Sequence, residues 1–197
     1  MGRPSVTEQR RQEVLEAFVR CVANYGLHGA TLERLATESG LKRPLIRHHL
    51  GNREEMVDAL VIHVVDSFER QQEQMLAFLK GKNRLPALLD LLFTTDTVTD
   101  GDLVLAFAAL TAHAGNNEKT RQVLLKSMMA FEALINAELS GAYPKAGKSE
   151  VDAAAQAIIA LYLNLDALSP LQPPQHWRDS SRRAADIFIS QLKQGAE

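Results

Sequence analysis

Thr31-Leu32-Glu33-Arg34-Leu35-Ala36-Thr37-Glu38-Ser39-Gly40-Leu41-Lys42-Arg43-Pro44-Leu45-Ile46-Arg47-His48-His49-Leu50 is the stretch that decides the fold. It reads as two short amphipathic helices around a tight turn. Thr31 is a good N-cap for the first, whose inward residues are Leu32, Leu35 and Ala36. Gly40 stands where the turn needs a left-handed residue. Pro44 suits the first turn of the second helix, where its missing N–H costs nothing, and Leu45, Ile46 and Leu50 supply that helix's apolar side. Between Ser39 and Arg53 there is no acid, while Lys42, Arg43, Arg47, His48, His49 and Arg53 all fall in that window. Two short helices so joined have helix-turn-helix geometry. A groove-inserting second helix would face phosphates on both flanks, which favours such an acid-free, cationic segment.

Helical periodicity extends outward in both directions. Upstream, Ser5 and Glu8 form a candidate capping box. Val14, Leu15, Phe18, Val19, Val22 and Ala23 make one apolar face, Cys21 is most simply a core residue, and Gly26 is the expected C-cap. Downstream, the spacing predicts a long helix from Glu54 to about Lys80, with Met56, Leu60, Val64, Phe68 and Met75 along one stripe and Gly81 at its end. Five more helices are expected near Leu85–Thr94, Leu103–Ala114, Glu118–Leu139, Glu150–Leu168 and Gln175–Lys193. No strand-length alternation appears. The expected class is therefore all-α, with about nine helices: a helix-turn-helix domain over residues 1–53 and a larger helical domain over 54–197.

Bulk properties bound the function. A chain of 197 residues buries about 70% of its unfolded surface without disulfide or metal staples. Apolar and charged fractions of 46% and 23% are ordinary for a globular protein. No apolar run reaches the roughly 18 residues a bilayer span requires. Met1-Gly2-Arg3-Pro4-Ser5 lacks a signal-peptide core, so a cytoplasmic address is expected. The single cysteine and the unpatterned histidines predict neither metal nor cofactor. Net charge is −2, yet residues 1–55 hold nine Lys/Arg against seven Asp/Glu, so the excess of acid lies in the remainder.

Across residues 8 to 60 the chain resembles the TetR family of regulators. The resemblance is carried by Ala23-Asn24-Tyr25-Gly26, Thr31, Leu35-Ala36, Gly40-Leu41, Ile46, His49-Leu50, Arg53-Glu54 and Met56. It implies DNA contact by Thr31, Lys42, Arg43, Pro44, Leu45, Arg47, His48, His49 and Arg53, with Arg3 as a minor-groove arm. Three positions depart from the family's usual pattern. Lys42 replaces a Ser cap, Pro44 replaces a Gly, and Arg47 replaces a Tyr, giving a contact with phosphate or guanine.

The resemblance further implies that residues 54–197 bind a small-molecule effector and dimerise, giving a homodimer on an inverted-repeat DNA operator and, by the family's commoner mode, repression. Phe107, His113, Met128, Phe131, Tyr162 and Asn164, on otherwise apolar helices, are the candidate ligand residues; with no cluster of cations or acids beside them, the expected effector is apolar or weakly polar. Ala157, Leu161, Leu165 and Leu168, with Ala153, Ala154, Ala160, Ile187 and Leu192, suggest a dimer edge. Enzyme chemistry finds no triad or ligand spacing. Gly141 through Ser149 ends in Gly-Lys-Ser but has the wrong spacing and no preceding strand for a phosphate loop. The rival reading is a helical interaction module without DNA binding.

Overall fold

The computed structural model describes residues 6–79, 81, 84–93 and 100–194. Among them every regular element is helical, as the periodicity requires. The elements are α1 (Val6–Gly29), α2 (Leu32–Ser39), α3 (Arg43–Leu50), α4 (Arg53–Phe78), α5 (Arg84–Phe93), α6 (Gly101–Ala114), α7 (Glu118–Ala142), α8 (Lys148–Ala167) and α9 (Gln175–Gln194), with a 3-10 turn at Ser169–Leu171. Ser5, Arg3, Thr94 and Lys80 lie outside the described residues, and with them the expected capping box and the minor-groove arm. No described helix is long and apolar enough to cross a membrane.

The local signals act where they were read. Gly26 is non-helical (φ 67°, ψ 169°) and interrupts α1, although one more turn follows before the chain leaves at Ala30. The Thr31 hydroxyl accepts from the Arg34 N–H at 3.3 Å, and Gly40 takes the left-handed turn at φ 68°. Lys42 is the N-cap of α3 and makes no side-chain cap bond. One start signal was missed. Asn52 Oδ1 accepts from the N–H groups of Glu54 and Glu55 at 2.9 and 3.1 Å, while Glu55 Oε2 accepts from the Asn52 N–H at 2.7 Å. This reciprocal capping box starts α4 at Arg53 and satisfies N–H groups that a helix otherwise leaves orphaned.

Packing divides the chain into two compact units. The first takes the described chain through Glu69 together with Asp100–Leu125; the second takes residues from Arg70 to Phe93 and from Lys126 onward. These are packing units, distinct from the functional division expected at residue 53. In the first, Val14, Ala17, Phe18, Leu35, Ile46, Leu60, Val64, Ala106 and Leu110 form a fully buried centre, with Cys21 inside it. In this unit α6 packs along α1. Burial pushes the Cys21 thiol pKa up. In the second, Leu88, Phe93, Ile135, Leu139, Ala155 and Ile158 are the centre, and Met75, Phe131, Leu165, Ile189 and Leu192 surround it.

Two expectations are corrected. Leu45, placed on the apolar side of α3, is 41% exposed, because Ile46 and Leu50 alone fill the space against α1 and α2. Ala154, Leu165 and Leu192, assigned to a dimer edge, are buried within their own unit. The apolar residues of α8 are spread around much of its circumference, so spacing alone did not separate its inner face from its outer one.

Gly51 joins α3 to α4 at φ 80°, ψ −150°, and a Cβ there would stand 2.1 Å from the Glu55 carboxylate. Gly51→Ala should therefore lower unfolding free energy by about 2 kcal/mol, combining backbone strain with loss of the box. Asn52→Ala should lower it by about 1 kcal/mol. Urea unfolding checks both, and equal, negligible effects would contradict the capping geometry.

Candidate nucleic-acid interface

α3 is eight residues long, and a helix of that length is marginal by itself in water. Its orientation is imposed from three sides. Ile46 and Leu50, 0% and 3% exposed, anchor its inner face. Arg11 of α1 donates from Nη1 to the His49 carbonyl at 2.8 Å, satisfying one of the free carbonyls of the last turn. The third constraint comes through Arg53, the first residue of α4. It donates from Nη1 to the Ala30 carbonyl at 2.9 Å and from Nη2 to the Leu27 carbonyl, and its guanidinium lies 5.4 Å from the centre of the Phe18 ring. The segment leaving α1 is thereby tied to the segment leaving α3. Burial lowers the Arg53 pKa from its ordinary value, but a guanidinium remains charged.

The other cations of this region sort into two groups. Arg20 pairs with Glu38 at 2.6 Å, linking α1 to α2, and that hydrogen bond raises its pKa. Arg34 donates to the Gly29 carbonyl at 2.7 Å and covers the Tyr25 ring at 4.3 Å. Arg10 pairs with Glu13. In contrast, Lys42, Arg43 and Arg47 are exposed and take part in none of the ion pairs among the described residues. His48 is exposed, His49 is half-buried, and their rings meet edge-on at 5.4 Å. Pro44 and Thr31 are exposed as well. Arg47 lines a recess of about 430 Å³ with Leu32, Gly51, Asn52, Arg53 and Met56.

Nine of the ten candidate DNA contacts thus fall in the same small part of the first unit; Arg3 is outside the described residues. Arg53 has a structural task that a sequence reading did not foresee. Arg11 was missed altogether, and no local pattern marks it. Asn52-x-x-Glu55 carried a legible signal.

The candidate ligand residues are divided. In the second unit, the Phe131 and Tyr162 rings meet at a tilt of 55° with centroids 5.9 Å apart, Met128 packs on the same core, and Asn164 is exposed. In the first unit, Phe107 meets Phe68 edge-on at 5.5 Å, and His113 is half-buried. The second unit also holds a cleft of about 720 Å³ among α5, α7 and α9, lined by none of these residues. Its walls carry Arg84, which grips Glu138 through Nε and Nη2, and Arg182, which pairs with Asp90 and Asp186.

The geometry is that of an all-α protein headed by a helix-turn-helix, and comparison with known proteins narrows it. No family model matches the chain. Fifty residues are 46% identical to the HTH-type transcriptional repressor AcnR of Corynebacterium efficiens, a match covering 25% of this chain and 27% of that protein. The chain thus spans about a quarter of the length of the AcnR relatives it matches. The HTH-type transcriptional regulator BetI of Burkholderia ambifaria is 21% identical over 161 residues, covering 81% of this chain and 82% of that one. Among solved structures, a proposed transcriptional regulator from Pseudomonas aeruginosa PAO1 superposes with a TM-score of 0.78 at 24% identity, covering 96% and 92% of the two chains. A TetR-family regulator from Cytophaga hutchinsonii gives 0.74 at 16% identity over 96% and 97%. A proposed regulator from Saccharomonospora viridis, solved with choline, gives 0.73 at 20% identity over 93% and 96%. This chain has the fold of solved TetR-family regulators, and fifty of its residues are similar in sequence to the AcnR repressors.

The sorting of cations is testable without a ligand. Arg53→Met should reduce stability by about 2 kcal/mol, since it orphans two carbonyls. Arg47→Met and Lys42→Met should stay within about 0.5 kcal/mol of the parent. Equal losses at all three positions in denaturant titrations would remove the distinction.

Proposed function

We propose that this chain is a DNA-binding transcriptional regulator that sits on an inverted-repeat operator as a homodimer, represses from it, and is released by a small-molecule effector. The observation that carries this reading is the set Lys42, Arg43 and Arg47: exposed cations that take part in no ion pair among the described residues, at the start of and along a short helix held by its neighbours. A cation with no intramolecular partner gives the fold little and is available to phosphate. Thr31, at the start of α2, and His49 are assigned to the flanking phosphates. Arg53 uses two of its five N–H donors internally, and the rest remain for a phosphate.

In this reading residues 1–53 contact DNA, while 54–197 bind the effector and dimerise, and the protein works in the cytoplasm. Repression follows the repressors that fifty residues of this chain match. Exposed Leu163 on α8 and exposed Trp177, Ile187 and Phe188 on α9 favour a two-fold helical interface made by these helices. Phe131, Tyr162 and Met128 form our candidate lining for a largely apolar effector. Phe107 and His113 are kept as secondary candidates and Asn164 as a rim residue. The effector must prefer the DNA-incompetent head spacing by a few kcal/mol, since equal affinity for both states shifts nothing.

Selection from a random duplex pool should yield an inverted repeat whose half-sites lie about one DNA turn, roughly 34 Å, apart. Each Lys42→Gln, Arg43→Gln or Arg47→Gln change should reduce the slope of log affinity against log salt by about 1. Reversing all three charges should abolish binding; affinity that survives this, or ignores salt, would overturn the assignment of DNA contact to α3, and failure to select any duplex would leave the interaction-module reading. Ile187→Glu with Phe188→Glu should convert a dimer to monomer by sedimentation and weaken operator binding. An unchanged dimer would move the interface elsewhere.

A further inference from the structure

The outward face of α3 is not the cationic one. Ile46 and Leu50 point into the core. At roughly 100° per residue, the direction opposite them is held by His48, with Pro44 and Leu45 on either side of it within about 60°. Arg47 and His49 lie on the two flanks, about 100° away from that direction. The recess that Arg47 shares with Leu32 and Arg53 agrees with such a lateral position. A helix in the major groove addresses bases with its outward face and phosphates with its flanks.

Two of the three outward side chains, Pro44 and Leu45, carry no donor or acceptor. Among the described residues of the first fifty, Tyr25 and Leu45 are the exposed large apolar side chains, at 52% and 41%. Tyr25 is covered by the Arg34 guanidinium, whereas Leu45 stands exposed on the outward side of α3. On the edges of unmodified base pairs the major groove offers one apolar group, the thymine C5-methyl. Resting on the DNA-binding reading above, we propose that Leu45, with Pro44, reads thymine methyl groups in each half-site. The flanking Arg47 then binds phosphate rather than guanine. Sequence preference at these positions is thus apolar, and His48 is the polar reader beside it.

The test uses the full chain and an operator selected from the random pool, with each thymine replaced in turn by deoxyuridine, which removes only the methyl. Affinities are measured at one fixed salt concentration for the parent and for Leu45→Ala. For the parent, deoxyuridine at one or two positions per half-site should weaken binding by about fourfold for each methyl, the effect expected from burying one such group. The same substitutions should have little effect on Leu45→Ala. If no deoxyuridine position matters to the parent, or if the losses persist undiminished in Leu45→Ala, the proposal fails while DNA binding stands. If no duplex is selected, the DNA-binding reading fails and this one with it. Arg47→Lys provides a separate control: retained base preference with modestly altered affinity fits a phosphate contact, whereas relaxed preference at a guanine would overturn the assignment.

Discussion

Two carbonyls, those of Leu27 and Ala30, and one guanidinium, that of Arg53, hold the helix-turn-helix together. The chain leaves α1 there with acceptors that no helix bond satisfies, and a buried acceptor without a partner is costly. Arg53 answers both at once because its donors form a planar fork. Its own position is set by the capping box of Asn52 and Glu55, which begins α4 immediately after α3 ends. The connection α3–Gly51–Asn52–Arg53 is therefore rigid at both ends, and α3 cannot drift without breaking a charged hydrogen bond. Arg11, on the His49 carbonyl, secures the opposite end of the arrangement.

This constraint explains how cations of similar appearance serve different purposes within fifty residues. Arg11, Arg20, Arg34 and Arg53 are directed at carbonyls or at Glu38, and their loss would be felt in stability. Lys42, Arg43 and Arg47 take part in no described ion pair, and Lys42 even forgoes the side-chain cap that a Ser would supply. A cation at a helix N-terminus is mildly unfavourable to the helix. Its presence there fits the proposed contact with phosphate.

The second unit is organised by different physics. Its helices bury Leu, Ile and Ala over broad faces, and ion pairs such as Arg84 to Glu138 link them. The charged cleft of about 720 Å³ arises where α5, α7 and α9 meet, from residues more than fifty positions apart in the chain. No local pattern could announce it. Phe131 and Tyr162 were anticipated as two candidates on separate helices, but the contact between their rings is a product of packing.

What the sequence determined by itself is the local chemistry of the head. Thr31, Gly40 and Pro44 dictate where helices begin and turn, because caps, left-handed residues and fixed φ act over three or four residues. The acid-free run from Ser39 to Arg53 was equally plain, as was the burial of Phe18, Ile46, Leu60 and Val64. Only the tertiary structure decided which arginines are bound internally and which are free, since that depends on carbonyls up to 38 residues distant. It also decided that Leu45 faces outward and that Leu165 and Leu192 face inward. Helical spacing marks an apolar stripe but not its partner, and where a helix is apolar on several sides, only packing chooses the face.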